Sequence, residues 1–252
     1  MPVEALKPSL PRLMVEDAVR AALLEDLGHA GDITTNATIV PDATATAELA
    51  SREDGVIAGL GLAETAFRMM DPTLVFDAKV RDGDRVRPGD AVATISGNAR
   101  AILSAERVAL NFLMHMSGIA SYTARFADEI AHTDAKVTCT RKTIPGLRTF
   151  DKYAVRCGGG SNHRFGLDDA VLIKDNHIAV SGGISEAIEA ARAYVGPLVK
   201  VEIEVDTLDQ LGKALAGNPD SILLGNMTAE MLAKAVEINR RHNNGRIKLE
   251  TS

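Results

Sequence analysis

The stretch that decides the fold of this chain is residues 170–205, AVLIKDNHIAVSGGISEAIEAARAYVGPLVKVEIEV. Short runs rich in β-branched residues at 170–173 and 198–205 flank a helix-like segment at 185–194. Strands that alternate with helices are typical of a parallel sheet or barrel, because a parallel pair needs a crossover between its strands. The stretch therefore predicts an α/β fold in the second half of the chain.

The same rhythm continues on both sides of this stretch. Further β-rich runs occur at 136–139, 221–224 and 247–249, and a helix-like segment occupies 229–241. Together these runs predict a parallel α/β barrel or sheet. The last residues, 249–252, leave no strand to close that barrel, and an exposed edge strand is costly. We therefore expect the barrel to be truncated at its C-terminal end.

The first half of the chain has a different character. Apolar residues at helical spacing in 14–27 predict an amphipathic opening helix that ends at Gly28. Between residues 45 and 97, short β-branched runs interrupted by Gly, Asp and Pro predict an antiparallel sheet. A long apolar helix is predicted at 104–130, with Ser104 as its N-cap.

These patterns divide the chain into two predicted domains. The first, 1–115, holds the predicted antiparallel sheet with the long connecting helix, and the second, 116–252, holds the alternating strands and helices and carries most of the active site. A chain of 252 residues is long enough to give each domain its own hydrophobic core.

Charge and composition exclude several classes of protein. The formal net charge of -6 argues against a general nucleic-acid or membrane-surface protein. Neither a leader segment nor an apolar run of membrane-spanning length is evident, so we expect a cytoplasmic protein. Cys139 and Cys157 lack a CxxC spacing, which predicts two buried thiols rather than a zinc site or a disulfide.

Basic side chains are concentrated between residues 140 and 177. Arg141, Lys142 and Lys174 come directly after predicted strands, where the loops of an α/β barrel converge on its mouth. Arg offers a planar fork to carboxylates and phosphates and Lys a compact charge, so the set suits a small ligand with several anionic groups. In contrast, Arg148, Lys152 and Arg156 recur at helical spacing, which predicts a solvated helix face.

Two further features each allow two interpretations. The glycines at 158–160 either bring backbone N–H groups to a phosphate or form a permissive turn before His163. Arg107, Asn111 and His115 form a polar stripe on the long apolar helix. That stripe is either a solvated face or the lining of a cavity.

Several motifs, in the right order over essentially the whole chain, resemble the quinolinate phosphoribosyltransferases, also called nicotinate-nucleotide pyrophosphorylases (carboxylating). The motifs are Glu25-Asp26-Leu27-Gly28, Gly31-Asp32-Ile33-Thr34-Thr35, Glu106-Arg107 with Leu110-Asn111, Thr140-Arg141-Lys142-Thr143, Lys152-Tyr153-Ala154-Val155, Asn162-His163-Arg164 and Lys174-Asp175-Asn176-His177.

The resemblance implies that quinolinate and phosphoribosyl pyrophosphate yield nicotinate mononucleotide, pyrophosphate and carbon dioxide, with Mg²⁺ as cofactor. It implies that Lys142, Lys174 and Glu204 are catalytic, with no direct protein ligand to a metal that the pyrophosphate carries near Glu204. It implies contacts to substrate from Arg107, Thr140, Arg141, Lys142, His163, Arg164, Lys174, Glu204, Gly225 and Ser252. It also implies a fold of an N-terminal α/β sandwich followed by an incomplete (β/α) barrel. The two subunits of a homodimer would then share their active sites, with Arg107 delivered across the interface.

Two positions depart from the pattern of the resembled family. At Gly225 the family has Asp, so a carboxylate expected beside the ribose and metal is missing, and we predict that Gly225→Asp raises the rate. At Ser252 the chain stops where the family continues into a Ser-Gly-Gly phosphate loop. Alternative readings are therefore a phosphoribosyltransferase for another pyridine carboxylate, such as nicotinate, a molybdenum-operon homologue, or a catalytically silent anion-binding protein.

Overall fold

The computed structural model describes residues 9–242 and 245–252, and the chain forms two compact units that divide after His163. The helices are α1 Arg12–Leu27, α2 Ile33–Thr38, α3 Leu60–Met70, α4 Ala99–Glu129, α5 Arg148–Cys157, α6 Asp175–Ser181, α7 Ile184–Tyr194, α8 Leu208–Ala216 and α9 Ala229–Arg241. The strands are β1 Thr44–Ala50, β2 Gly55–Val56, β3 Val75–Ala78, β4 Arg85–Val86, β5 Ala91–Asn98, β6 Ala170–Ile173, β7 Lys200–Val205, β8 Ser221–Leu224 and β9 Lys248–Thr251. The domain boundary expected after residue 115 stays a prediction.

The opening helix forms as predicted. α1 buries Val15, Val19 and Leu23 on one side against the core of the first unit. Gly28 follows with a φ of 54°, a positive value that glycine adopts without steric cost. Residues 1–8 of the predicted first domain lie outside the described residues.

An antiparallel sheet with strand order β1-β5-β3 follows the opening helices, and β2 pairs with β4 separately. The predicted antiparallel pairing in this region is therefore confirmed. The sequence interpretation missed α3, which lies between β2 and β3 and buries Leu62, Ala66 and Phe67. Gly59 precedes α3 with a φ of 105°, so this glycine begins a helix rather than a hairpin.

The long helix α4 begins earlier than the sequence predicted. Its N-cap is Asn98, whose side-chain oxygen accepts a hydrogen bond from the Ala101 N–H at 3.1 Å. The prediction of Ser104 as N-cap is wrong. Ser104 lies inside the helix, and its hydroxyl donates to the Asp32 carboxylate at 3.0 Å.

The strand predicted at 136–139 is also wrong. Among the described residues, a single parallel bridge, between Thr138 and Ser161, pairs this segment. The Cys139 N–H donates to the Ser161 oxygen at 3.0 Å, and the Ser161 N–H donates to the Val137 oxygen at 2.7 Å. The pairing is short because the segment opposite 136–139 leaves α5 through the turn at 158–160 and becomes extended only at Ser161.

The second unit contains a parallel sheet with strand order β6-β7-β8-β9. Its core is aliphatic, and Val201, Ile203, Leu211 and Ile222 are fully buried. Four of the strands expected in the barrel are therefore present, each within two residues of its predicted start. The chain has the predicted α/β class, with a small sheet in the first unit and a parallel-strand α/β arrangement in the second.

Candidate active site

The carboxyl ends of four parallel strands bring one group of predicted site residues to the same edge of the sheet. Strand register aligns Ile173 with Ile203 and Leu224 with both Val205 and Thr251. The residues that follow or end these strands are Lys174, Glu204 with Asp206, Gly225 and Ser252. The structure thus places Lys174, Glu204, Gly225 and Ser252 as the strand pattern predicts, and their roles stay predictions.

Lys174 and Glu204 form an ion pair across this edge. The Lys174 Nζ lies 3.1 Å from Glu204 Oε2, and the two side chains are 48% and 25% exposed. An ion pair that faces solvent contributes little stability, commonly about 0–1 kcal/mol. Both groups are therefore available to a charged ligand at small cost to the fold.

Gly225 is buried directly beside two carboxylates. A Cβ on this residue would lie 2.8 Å from Asp206 Oδ1 and 3.3 Å from Glu204 Oε1. Asp206 is held in place by Asn226, whose side-chain amide donates to the same Oδ1 at 2.9 Å. The Asp206 carboxylate thus already borders the space that a side chain at 225 would enter. Asp206 is not among the site residues predicted from the sequence.

The segment that carries Asp206 is fixed by the start of α8. Thr207 is the N-cap, with its hydroxyl accepting from the Gln210 N–H at 3.2 Å. The Gln210 side-chain oxygen accepts from the Asp206 N–H at 2.8 Å. This capping box holds the backbone of Asp206 just beyond β7. A Thr-Leu-Asp-Gln sequence after a strand is the signal that identifies it.

One further predicted residue of the second unit, Arg164, lies near β6, where a backbone hydrogen bond also fixes Lys174. The Arg164 Nη1 donates to the Ala170 oxygen at 3.1 Å, at the amino end of that strand. At the other end, the Lys174 N–H donates to His177 Nδ1 at 3.0 Å. This bond fixes the backbone of Lys174 where β6 passes into α6.

A second group of predicted site residues lies in the first unit. Thr140 and Lys142 are exposed, and the Thr140 hydroxyl accepts from the Lys142 N–H at 2.9 Å. Arg141 is half-buried, and its Nε is buried without a hydrogen-bond partner in residues 9–242 and 245–252. A buried donor of this kind is costly, about 1–3 kcal/mol, and is commonly satisfied by a water or a ligand. His163 is half-buried at the end of the same unit.

Lys152 does not lie on a solvated helix face as the sequence predicted. Its side chain is only 1% exposed, and its Nζ donates to Cys139 Sγ at 2.9 Å and to the His163 oxygen at 3.1 Å. Arg156, one turn later, is exposed. The prediction of two buried thiols is also wrong, because Cys139 and Cys157 are both partly exposed.

The polar stripe on α4 has two parts. Arg107 and Asn111 are exposed, whereas the His115 Nε2 lies 2.7 Å from the buried Asp151 Oδ1 on α5. A second bond also anchors α5, since the Tyr153 hydroxyl donates to Asp82 at 2.7 Å. Burial and the neighbouring Asp82 carboxylate raise the pKa of Tyr153. Arg107 and Asn111 therefore face solvent, whereas His115 fixes α5 through Asp151.

The glycines at 158–160 serve packing and turn formation. The N–H groups of Gly158, Gly159 and Gly160 all donate to carbonyls of α5, which leaves none of them for a phosphate. A Cβ on Gly158 would lie 2.2 Å from the Ala120 oxygen of α4. Only glycine lets the two helices approach this closely, so the structure favours the turn interpretation over the phosphate interpretation.

Comparison with known proteins gives this arrangement a family. The sequence models described as "Quinolinate phosphoribosyl transferase, N-terminal domain" and "Quinolinate phosphoribosyl transferase, C-terminal domain" match residues 32–117 and 119–252. This chain belongs to the quinolinate phosphoribosyl transferase family. The resemblance stated from its motifs is therefore confirmed.

Curated relatives of this family support the assignment. The "Nicotinate-nucleotide pyrophosphorylase [carboxylating]" of Mycobacterium leprae is 44% identical over 226 residues, which are 88% of this chain and 78% of the relative. The chloroplastic protein of the same name from Arabidopsis thaliana is 41% identical over 97% of this chain and 74% of its own length.

Solved structures agree with the family assignment. NadC from Streptococcus pyogenes superposes with a TM-score of 0.92 at 43% identity, over 97% of this chain and 85% of that structure. The nicotinate-nucleotide pyrophosphorylase from Francisella tularensis gives a TM-score of 0.90 at 37% identity, over 98% and 85%. In the described part of this family member, no helix combines the length and the apolar character that crossing a membrane requires.

Proposed function

We propose that this chain transfers the phosphoribosyl group of phosphoribosyl pyrophosphate to quinolinate and releases nicotinate mononucleotide, pyrophosphate and carbon dioxide. The observation that carries the proposal is the Lys174–Glu204 pair, which places a cation and a carboxylate 3.1 Å apart at the carboxyl edge of the parallel sheet. The relatives' names support it, since "decarboxylating" describes a substrate that carries one carboxylate more than its product, and "carboxylating" names the same conversion in the reverse direction.

Quinolinate suits the basic side chains because it carries two carboxylates. We assign the binding of quinolinate or of the phosphates to Arg107, Thr140, Arg141, Lys142, His163, Arg164 and Lys174. The buried Arg141 Nε without a partner supports this role, because an anion near the guanidinium compensates for its desolvation. A monocarboxylate such as nicotinate would leave part of this positive charge unmatched, which disfavours it as the substrate.

Glu204 serves the other half of the reaction. As pyrophosphate leaves, the bond to the anomeric carbon breaks and positive charge develops on the ribose. A fixed carboxylate beside that charge lowers the barrier, because it is already oriented before the reaction begins. Asp206 lies next to Glu204 and adds a second carboxylate to this side of the site. Gly225 leaves room for both of these carboxylates.

Carbon dioxide then leaves without a protein nucleophile. After transfer, the pyridine nitrogen is cationic, and the electron pair of the broken carbon–carboxylate bond is stabilised by that adjacent charge before a proton replaces the carboxylate. Lys142 and Lys174 orient the departing and the retained carboxylates in this scheme. The catalytic assignments are therefore Lys142, Lys174 and Glu204, with each group acting through charge and position.

Mg²⁺ fits the donor set near Glu204, because carboxylate oxygens are the ligands it prefers and Asp206 adds a second carboxylate to this edge. We propose that the pyrophosphate of the substrate carries the ion and that Glu204 and Asp206 face it. When bound, it neutralises charge on the leaving pyrophosphate.

The proposal includes a homodimer in which the exposed Arg107 of one subunit enters the site of the other, and a cytoplasmic location. The experiment that tests the activity compares initial rates of nucleotide formation from quinolinate and from nicotinate, each with phosphoribosyl pyrophosphate and Mg²⁺. Nucleotide formation from quinolinate and not from nicotinate supports the proposal, and faster turnover of nicotinate than of quinolinate refutes it.

A further inference from the structure

Lys152 is a buried cation to which the reaction scheme gives no role. It lies in α5 and is 1% exposed, although lysine is almost never fully buried unless its charge is paired or hydrogen-bonded. If packing alone were required, an apolar side chain of similar length would fill the same volume without the desolvation cost. The hydrogen bonds of the ammonium group therefore indicate what the residue does.

These hydrogen bonds join the two segments of the first unit that carry predicted substrate-binding residues. The Lys152 Nζ donates to Cys139 Sγ at 2.9 Å, immediately before Thr140, Arg141 and Lys142. It also donates to the backbone oxygen of His163 at 3.1 Å. One ammonium group thus contacts both segments.

The backbone pairing between these segments is too short to align their ends. In the described residues, the bonds between their backbones come from the Cys139 and Ser161 N–H groups around the bridge at Thr138. Beyond that bridge, the contacts between the segments are made by side chains: the Cys139 thiol lies 3.5 Å from the Asn162 side-chain oxygen, and Lys152 contacts both sides. Lys152 therefore acts where the strand pairing stops.

We propose that Lys152 is a positioning residue for quinolinate binding, which holds the segment of Arg141 and Lys142 in register with His163. This inference rests on the proposed function. A small rigid dianion requires its cationic partners at fixed separations, and displacements of about 1 Å are enough to weaken such a site strongly. Lys152 acts through these residues and does not touch the substrate.

The test is the dissociation constant for quinolinate of Lys152→Met, measured by calorimetry well below the melting temperature of each variant. Methionine keeps the length of the side chain and removes its donors. We expect quinolinate binding at least about tenfold weaker than in the unchanged protein, the effect of losing hydrogen bonds from a charged group. Equal affinity in Lys152→Met and the unchanged protein overturns the proposal.

Two controls separate positioning from stability and from charge. Val19→Ala removes volume from the core at α1, so it lowers the melting temperature and leaves quinolinate affinity unchanged. Arg156→Met removes a cation from the exposed face of the same helix and also leaves affinity unchanged. A loss of affinity in Val19→Ala equal to that in Lys152→Met shows a merely structural role and overturns the proposal.

Cys139→Ala decides the matter if Lys152→Met does not fold. It removes the Cys139 acceptor and leaves the bond to the His163 oxygen, so we expect about threefold weaker quinolinate binding with a cooperative unfolding transition. Unchanged affinity in Cys139→Ala then overturns the proposal. Failure of the unchanged protein to bind quinolinate refutes the proposed function instead, so the two failures are distinguishable.

Discussion

The Lys174 ammonium lies 3.1 Å from the Glu204 carboxylate, across the carboxyl ends of two neighbouring parallel strands. The pair neutralises both charges before a ligand binds, and both side chains remain partly exposed. A dianionic substrate can therefore take Lys174 as a partner while the ribose faces Glu204. Under the proposed function, Lys174 is thus paired with a carboxylate both before and after the substrate binds.

Loss of a cation from the site should weaken quinolinate binding directly. We expect Arg141→Ala and Lys174→Ala each to reduce the free energy of quinolinate binding by about 2 kcal/mol or more, because a desolvated carboxylate then loses its partner. Calorimetric titration measures the effect. Lys200→Ala is the matched control, since Lys200 starts β7 at the opposite edge and pairs with Asp220 at 2.7 Å. If both variants bind quinolinate as tightly as Lys200→Ala does, Arg141 and Lys174 do not belong to the quinolinate site.

Shared active sites predict recovery of activity when two inactive variants exchange subunits. In a hybrid of Arg107→Ala and Lys174→Ala, one site of the dimer receives both unchanged residues and the other receives neither. Random exchange gives hybrids in half of the dimers, so we expect roughly a quarter of the activity of the unchanged protein. Two separately prepared Lys174→Ala samples serve as the control and should show no recovery. Sites confined to one subunit give no recovery in either mixture.

Asp206 is expected to supply the carboxylate that position 225 lacks. Asp206→Asn should lower kcat about tenfold, which corresponds to about 1.4 kcal/mol of transition-state stabilisation, and leave quinolinate affinity unchanged. Adding Gly225→Asp to Asp206→Asn should restore most of the rate, because the new Cβ lies beside the same position. Gly225→Asp alone should change the rate little, since it crowds Asp206. This expectation revises the prediction from sequence, and a large gain from the single change would contradict it.

The close contact of Gly158 with α4 predicts a large loss of stability on substitution. In Gly158→Ala the Cβ meets the Ala120 oxygen at 2.2 Å, and a backbone oxygen cannot move away without displacing its helix. We expect the free energy of unfolding to fall by about 2 kcal/mol or more in a urea titration. Gly212→Ala in α8 is the control, because nothing lies within 4 Å of its Cβ, and it should stabilise by about 0.5–1 kcal/mol. If Gly158→Ala is as stable as the unchanged protein, α4 and α5 can move apart without cost, and the prediction is wrong.

The parts of the site that follow strands were predictable from sequence, whereas the parts that depend on remote contacts were not. Lys174, Glu204 and Gly225 lie together because parallel strands end at one edge, a consequence of local pattern alone. The spacing of Lys152 equally suited an exposed face. Its burial depends on acceptors on Cys139 and His163, which lie 13 and 11 residues away in the sequence. The helical spacing of charged residues does not reveal such contacts. The start of α4 was misplaced for a different, local reason, since Ser and Asn are both good N-caps and Asn98 is the one that caps the helix.

The measurement that tests the proposed reaction most directly follows quinolinate labelled in its 2-carboxylate, with phosphoribosyl pyrophosphate and Mg²⁺. We predict equimolar labelled carbon dioxide, pyrophosphate and nicotinate mononucleotide, with a nucleotide that contains no label. Pyrophosphate release that is independent of quinolinate, or a nucleotide that retains the labelled carboxylate, would contradict the account.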